Sequence, residues 1–184
     1  ANNFEINALK ILKKKKNLRL IDASNYSLRD SLRIISSNGD MLIQSEDFKK
    51  FSVKDFKIVS KRKPSSIQMK NLIFAFNICR YVKSNAIVLA ADNTTVGIGS
   101  GQPSRIDSCQ IAISKMKKFT NLNEGLVAAS DAFFPFVDGI EKLIQSGVQA
   151  IVQPSGSIKD KDIIKFANKT NTVLVFSKTR HFRH

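Results

Sequence analysis

The chain has 184 residues, 42% of them hydrophobic, and its 30 Lys and Arg residues against 15 Asp and Glu residues give a net charge of +15. This length and hydrophobic content suit a globular protein with one sizeable core or two small ones, and no apolar run is long enough to span a membrane, so we expect no membrane contact. The excess of positive charge favours anionic partners, namely nucleic acid, phosphate or a polycarboxylate.

The two cysteines, Cys79 and Cys109, lie far apart and form no Cys-x-x-Cys pair. This pattern favours a reduced, cytoplasmic protein over a disulfide scaffold and argues against a zinc site. The first residues, ANNFEINALKIL, lack the pattern of a secretory signal peptide and also lack a starting methionine. We therefore expect a cytoplasmic protein and a piece of a longer chain.

The first part of the chain predicts a helix, a short strand and a hairpin. Residues 4–16 carry apolar side chains at helical spacing and end in a lysine run, which suits the negative end of a helix dipole. The stretch NLRLID, residues 17–22, is interpreted as a short strand. Asn38-Gly39-Asp40 between two β-type runs is typical of a hairpin turn.

The residues after the hairpin predict an α/β layer architecture. A strand FKIVS precedes Pro64, and the Pro-Ser-Ser stretch begins a helix with apolar residues at a three-four spacing. From Asn85 onward, short apolar strands alternate with helices. Such alternation predicts a mixed or mostly parallel sheet covered by helices.

A glycine loop, VGIGSGQPSR, joins a predicted strand to a predicted helix at Ser104 or Pro103. Its glycine spacing matches neither the dinucleotide fingerprint nor the Walker loop, so a simple turn is the plain interpretation. The alternative is an anion site, because Arg105 and free N–H groups at the start of the helix attract negative charge.

A second unusual loop, SDAFFPFVDG, follows another apolar strand. The phenylalanines belong to the core on the plain interpretation, and Asp138 caps the next helix. Three phenylalanines around one proline cannot all face inward from an extended loop, however, so we expect some of them to line a groove for a flat ring. Loops after strands of open α/β sheets are common ligand sites.

Four blocks of the chain, taken in order, resemble one family: KSNAIV, TVGIGSGQPSRIDS, ASDAFFPFVDGIEKLIQSGVQAIVQPSGSIKD and TRHFRH. They are similar to the C-terminal part of the bifunctional purine biosynthesis enzymes that combine AICAR formyltransferase with IMP cyclohydrolase. The upstream stretches ALKILKKKKNLRL and VSKRKPS look like the same transformylase domain. The resemblance thus covers essentially the whole chain.

The resemblance implies a three-layer α/β/α fold of cytidine-deaminase type, with a mixed sheet and without zinc. Residues 1–16 would be a helix from the end of the preceding transformylase subdomain, and residues 17–184 would be the second subdomain. The implied reaction moves a formyl group from 10-formyltetrahydrofolate, the co-substrate, to the 5-amino group of AICAR.

The family's Lys-His pair and its N-terminal cyclohydrolase domain have no counterpart in this sequence. The resemblance therefore implies that the chain alone binds parts of the substrates but turns over poorly. Its implied partners are AICAR, the folate, the missing first subdomain and a second copy in a homodimer with shared active sites.

The resemblance also implies roles for individual residues. It places Asn85, as a catalytic residue, beside the transferred formyl group. The residues that it places around the folate are Arg105, Ile106, Phe133, Pro135, Phe136 and Asp138. Those that it places near the AICAR nucleotide and the end of the active site are Arg180, Phe182 and His184. A potassium ion near Ser84 and Asp131 is also compatible with the resemblance.

Two other functions stay open at the level of sequence. A basic nucleic-acid-binding module is motivated by the charge of +15, although no RNA-recognition or zinc-finger signature supports it. A non-catalytic dimerising fragment is motivated by the missing Lys-His pair.

Overall fold

A computed structural model of the chain describes residues 3–25, 32–118 and 125–183. Its internal contacts divide the chain into two compact units, residues 1–48 and residues 49–184. The assignment of residues 1–16 to a preceding subdomain, and of residues 17–184 to a second one, stays a prediction.

The first unit contains a short helix and a hairpin. Helix α1 covers Ile6–Leu12, within the predicted range. Strands β1 (Leu32–Ser37) and β2 (Asp40–Ser45) pair antiparallel. Asn38 and Gly39 between them have φ of 47° and 92°, the left-handed values that a two-residue hairpin turn requires, so the hairpin prediction is confirmed.

The strand predicted for residues 17–22 is wrong. These residues form no strand, and the N–H of Leu18 instead bonds to the carbonyl of Lys15 in a turn after α1. The apolar side chains of Leu18 and Ile21 are 44% and 72% exposed, so neither is buried. A strand needs a neighbouring strand to take its backbone groups, and the described residues supply none here.

The second unit is built on a six-stranded sheet with the order β3-β8-β7-β6-β4-β5. Strands β6, β7 and β8 run parallel, whereas the pairs β3–β8, β4–β6 and β4–β5 are antiparallel. The sheet is therefore mixed, as the sequence predicted. Its strands are β3 (Phe56–Ile58), β4 (Ile87–Ala91), β5 (Thr94–Gly99), β6 (Val127–Ser130), β7 (Ala150–Pro154) and β8 (Val173–Ser177).

Helices cover both faces of this sheet, and the alternation of strand β4 shows the two sides. Ile87 and Leu89 pack in the cluster formed with α3, α4 and α5, while Val88 and Ala90 pack against α2. The second unit is thus a three-layer α/β/α structure. Its helices are α2 (Ser66–Cys79), α3 (Arg105–Met116), α4 (Val137–Gln145) and α5 (Asp160–Lys169). Within the described ranges, no helix has the length and apolar character needed to cross a membrane.

One edge of the sheet collects most of the loops singled out above. The carboxyl ends of β6, β7 and β8 lie at this edge because the three strands are parallel. Antiparallel pairing brings the start of β4 to the same edge, since Ile87 lies opposite both Ser130 and Gly99. The start of β3 is there too, because Phe56 lies opposite Ser177. We call this side the carboxyl edge.

Candidate functional site

The C-terminal tail crosses the carboxyl edge after β8. The N–H of His181 donates to the carbonyl of Asp131 at 2.9 Å, after the end of β6. Next to β4, the N–H of Ser84 donates to the carbonyl of Arg183 at 2.9 Å, and the N–H of Arg183 donates to Ser84 Oγ at 3.2 Å. The tail is therefore fastened to two strand ends. His184 lies outside the described residues.

The side chain of His181 anchors the tail in the core. It is 1% exposed and packs against the rings of Phe51 and Phe76, with centroid distances of 5.1 Å and 4.5 Å. Arg180 and Phe182, on either side of it, point instead into a cavity. This alternation is the signal by which the sequence could have separated an anchoring histidine from two lining residues.

A cavity of about 520 Å³ opens at the carboxyl edge. Its wall includes every predicted catalytic or substrate-binding residue that the structure describes. These residues are Asn85, Arg105, Ile106, Phe133, Pro135, Phe136, Asp138, Arg180 and Phe182. They come from the segment before β4, the start of α3, the loop after β6, the first turn of α4 and the tail. We call this space the candidate cavity; the roles of its residues stay predictions.

Arg105 is the centre of a hydrogen-bond network behind the cavity wall. Its Nη2 donates to Asp131 Oδ1 at 2.9 Å in an ion pair whose side chains are 10% and 1% exposed. Its Nε donates to Ser130 Oγ at 3.1 Å. The start of α3 is in this way tied to the end of β6.

The ion pair changes the interpretation of Arg105 as an anion-binding residue at the start of α3. Its guanidinium is turned inward and neutralised by Asp131, so it does not offer a free positive charge to a ligand. Burial lowers the pKa of Arg105 from its ordinary value, while the carboxylate of Asp131 opposes this shift. Asp131 Oδ2 is buried and has no hydrogen-bond partner among the described residues.

Asn85 joins the same network through its side-chain amide. Its Oδ1 accepts from Arg105 Nη1 at 3.0 Å. Its Nδ2 donates to the carbonyls of Gln102 and Pro103 at 2.9 Å and 3.0 Å. The amide therefore links the glycine loop to the segment before β4. Its bond to Pro103 is exposed, whereas its bond to Gln102 is partly buried.

The phenylalanine loop divides between core and cavity, as its sequence predicted. Phe134 is 1% exposed, whereas Phe136 is 62% exposed. The guanidinium carbon of Arg180 lies 4.7 Å from the ring centroid of Phe133. Asp138 is exposed in the first turn of α4, and its Oδ1 accepts from the N–H of Gly139, so the helix cap is Phe136 and not Asp138.

Two glycines of the loop sequence have a packing role that the turn interpretation missed. A Cβ on Gly99 would overlap the carbonyl of Ser108, and one on Gly97 would overlap the carbonyl of Ala112. Helix α3 therefore lies directly on the backbone of β5. Two glycines spaced by two on one face of a strand, followed by a helix, are the signal that points to this contact.

The cysteines offer no nucleophile to the site. Both are free and buried. Burial raises the pKa of the Cys109 thiol to about 12, and it raises the pKa of Cys79 well above its ordinary value. Both thiols stay protonated at neutral pH. Across the ranges that the structure describes, no group of three or more His, Cys, Asp or Glu residues is placed to hold a metal ion.

Comparison with known proteins gives one consistent family. Residues 1–115 match the family model described as AICARFT/IMPCHase bienzyme. Three relatives carry the name bifunctional purine biosynthesis protein PurH: those of Oenococcus oeni, Ligilactobacillus salivarius and Fusobacterium nucleatum are 46%, 44% and 45% identical to the chain. The alignments cover 100% of the chain but only 36% of each relative, so the chain spans about a third of their length.

Proposed function

The chain belongs to the AICARFT/IMPCHase bienzyme family, and from this premise we propose that it is the C-terminal portion of an AICAR formyltransferase. The proposed reaction transfers the formyl group of 10-formyltetrahydrofolate to the 5-amino group of AICAR in cytoplasmic purine biosynthesis. The observation that carries the proposal is the convergence of nine residues, spread from Asn85 to Phe182, on one cavity. The cyclohydrolase activity would belong to a part of the protein outside this chain.

The fold proposed within this family is the cytidine-deaminase type. The three layers, the mixed sheet and the parallel strands β6, β7 and β8 support it. The carboxyl edge of such a sheet is where loops from several strands meet, and ligands bind there in open α/β folds.

The walls of the candidate cavity suit a folate. Phe133 and Phe136 present rings against which a flat heterocycle packs. The exposed carboxylate of Asp138 accepts hydrogen bonds from an amino edge of that heterocycle. Ile106 and Pro135 complete the apolar part of the wall.

The tail suits a nucleotide. Arg180 is exposed and presents a planar guanidinium, which binds phosphate through two parallel hydrogen bonds. Phe133 holds that guanidinium from one side. Phe182 lines the same cavity, and His184 would continue the wall.

The proposed formyl transfer requires a general base and a hydrogen-bond donor to the oxyanion. The AICAR amine is a poor nucleophile because its lone pair is delocalised, so its proton must be removed as the tetrahedral oxyanion forms. In the described part of the chain, the cavity wall holds no histidine or lysine, and we assign the base to the Lys-His pair of the missing subdomain. Asn85 polarises the formyl carbonyl by moving its exposed N–H from Pro103 to the substrate.

A potassium ion near Ser84 and Asp131 belongs to the proposal as a structural ion. The buried Asp131 Oδ2, which has no hydrogen-bond partner in the described chain, fits an oxygen ligand for it. Ser84 Oγ lies in the same tail contact and adds a neutral oxygen. The ion would hold the tail against the start of β4 and the end of β6.

The missing first subdomain and a second copy of the chain are the proposed protein partners. In the described residues the cavity wall supplies aromatic rings and Arg180 but no histidine or lysine, so we expect another segment or subunit to supply the base. A homodimer with sites shared between subunits would complete it.

Titration with 10-formylfolate tests the folate assignment. Phe136→Ala removes a ring that is 62% exposed in the cavity wall, and we expect it to raise the Kd about fivefold or more. Tyr81→Ala is the matched control, because Tyr81 is 60% exposed and lines none of the cavities described here. Equal Kd values for the native chain and Phe136→Ala, or an equal loss in Tyr81→Ala, would contradict the assignment.

A further inference from the structure

Ser108, one turn after Arg105 in α3, carries a buried hydroxyl that none of the roles above uses. The residue is 0% exposed, and its Oγ donates to the main-chain carbonyl of Asn85 at 2.7 Å. A serine inside a helix commonly points to solvent or bonds back to the carbonyl of its own preceding turn. This hydroxyl instead leaves its helix and links α3 to the segment before β4.

The main chain of Ser108 is itself held in place. Its carbonyl lies directly on the backbone of Gly99, where a Cβ would overlap it. Its N–H donates to the carbonyl of Ser104 at 3.3 Å, at the start of the helix. The packing of α3 on β5 therefore sets where the Ser108 hydroxyl stands relative to Asn85.

Arg105 and Ser108 hold Asn85 at two different points. Residues three apart lie on the same face of a helix, so both side chains leave α3 on one side. Arg105 Nη1 donates to Asn85 Oδ1 at 3.0 Å, whereas Ser108 Oγ donates to its main-chain oxygen. The main-chain N–H of Asn85 makes only a long bond of 3.5 Å, to the carbonyl of Gln102. The short bond from Ser108 is therefore the stronger hold on the Asn85 main chain.

This arrangement leaves Asn85 a donor toward the candidate cavity. Its Oδ1 is taken by Arg105, and of its Nδ2 bonds the one to the Pro103 carbonyl is exposed. The strength of a bond from that N–H to a substrate oxygen depends steeply on distance and angle. A misplacement of about 1 Å in a reacting group can cost about a hundredfold in rate. Loss of the Ser108 bond would allow a misplacement of this kind.

We propose that Ser108 is a positioning residue for formyl transfer. It acts through Asn85, whose main chain it fixes so that the carboxamide N–H meets the formyl oxygen as negative charge develops there. Ser108 does not line the candidate cavity and does not contact the substrates. This inference rests on the proposed function and on the role proposed there for Asn85.

The test measures formyl transfer by a chimera in which this chain replaces the matching segment of the Oenococcus oeni relative. We expect Ser108→Ala to lower kcat by about tenfold or more. The KM values for AICAR and for the folate should stay within about twofold of the native values, because the cavity wall is untouched.

Ser146→Ala is the matched control. Its hydroxyl also donates to a main-chain carbonyl at 2.7 Å, that of Leu143, but it follows α4 at the end away from the candidate cavity. This control should keep the native kcat. An equal fall of kcat in both variants would overturn the inference.

A double variant tests whether Ser108 acts through Asn85. In an Asn85→Ala background, Ser108→Ala should change kcat by less than about twofold, because no carboxamide is left to position. A tenfold loss in both backgrounds would show that Ser108 acts by another route. If Ser108→Ala does not fold, Ser108→Cys keeps nearly the same volume with a weak donor, and we expect its kcat to fall at least about threefold. A native kcat in either folded variant would overturn the inference.

The outcomes also separate this inference from the proposed function. A native chimera that transfers the formyl group, with an unchanged kcat in Ser108→Ala, retains the proposed function and removes the role of Ser108 alone. A raised KM at native kcat would indicate lost binding instead of positioning and would overturn the inference as well. A folded native chimera without transfer contradicts the proposed function, and the inference falls with it.

Discussion

Arg105 and Asp131 show how a residue that lines a ligand cavity also carries the fold. The arginine bonds to Asn85 before β4 and to Ser130 and Asp131 at the end of β6, so it links two segments of the carboxyl edge to the start of α3. The ion pair is nearly removed from water, so each charge depends on the other for compensation. A loss of ligand binding in Arg105 variants would therefore mix lost contact with lost structure.

The ion pair makes a stability prediction. Asp131→Asn leaves the buried guanidinium of Arg105 without its counter-charge, and we expect the free energy of unfolding to fall by about 3–5 kcal/mol in urea titrations. Asp162→Asn is the control, because it breaks the exposed Lys159–Asp162 pair, whose side chains are 52% and 60% exposed. The control should lose less than about 1 kcal/mol. Similar losses in both variants would show that Asp131 is not compensating a buried charge.

Because the pKa of the buried Cys109 thiol is raised, we predict that the chain loses stability at alkaline pH. Burial raises the pKa of its thiol from 9.0 to about 12, so the folded chain keeps a proton that the unfolded chain releases. Below pH 9 this thiol adds no pH dependence. Between pH 9 and pH 12 the unfolded state binds fewer protons, and the free energy of unfolding falls by at most about 1.4 kcal/mol per pH unit from this group.

Urea titrations at pH 8.5, 9.5 and 10.5 measure this effect, with Cys109→Ala as the comparison. The variant lacks the thiol and should lose less stability over the range. Cys79 stays in both proteins, so its own raised pKa cancels in the difference. If the free energy of unfolding changes equally with pH in the two proteins, the raised pKa of Cys109 is contradicted.

At the scale of elements, the sequence predicted most of the second unit because each strand and helix has a local signal. Every residue of β4 (Ile87–Ala91) is buried, and Ser65 caps α2 by accepting from the N–H of Gln68. No strand of the described residues pairs with residues 17–22, and strand pairing is not a local property of a sequence. The strand interpreted at residues 17–22 therefore does not form.

The sequence predicted which residues line the candidate cavity but not how their side chains are arranged. The resemblance named the residues that line the candidate cavity, and the structure brings them together. It could not show that Arg105 turns inward to Asp131, because the two residues are 26 positions apart in sequence and only the tertiary fold brings the start of α3 to the end of β6. The buried position of His181 depends likewise on Phe51 and Phe76, from distant segments.

The contact between β5 and α3 makes a prediction at this scale. Gly99→Ala places a methyl group on the carbonyl of Ser108, so α3 must move away and carry Arg105 with it. We expect the free energy of unfolding to fall by about 3 kcal/mol or more in urea. Gly101→Ala is the control: its Cβ meets only Lys83 Cδ at 3.7 Å, and its φ of +68° costs about 1 kcal/mol. A Gly99→Ala loss no larger than the control's would contradict the close packing.

At the scale of the whole molecule, the net charge and the share of the relatives' length that the chain spans both favour a chain that binds an anionic ligand without completing the reaction. The net charge of +15 favours an anionic ligand, and the candidate cavity presents the exposed Arg180 to one. The chain spans about 36% of its relatives' length, and the described cavity wall holds no histidine or lysine. We expect the chain by itself to bind the folate without transferring its formyl group.

The most direct test of the proposed function is formyl transfer in a chimera. The matching segment of the Oenococcus oeni relative, which is 46% identical to the chain, would be replaced by this chain. The rate of transfer from 10-formyltetrahydrofolate to AICAR would then be compared with that of the same relative lacking the segment. We predict clear transfer by the chimera, none by the deleted protein, and a lower kcat/KM for the folate with Phe136→Ala. A folded chimera that transfers no formyl group, while the intact relative does, would contradict the account.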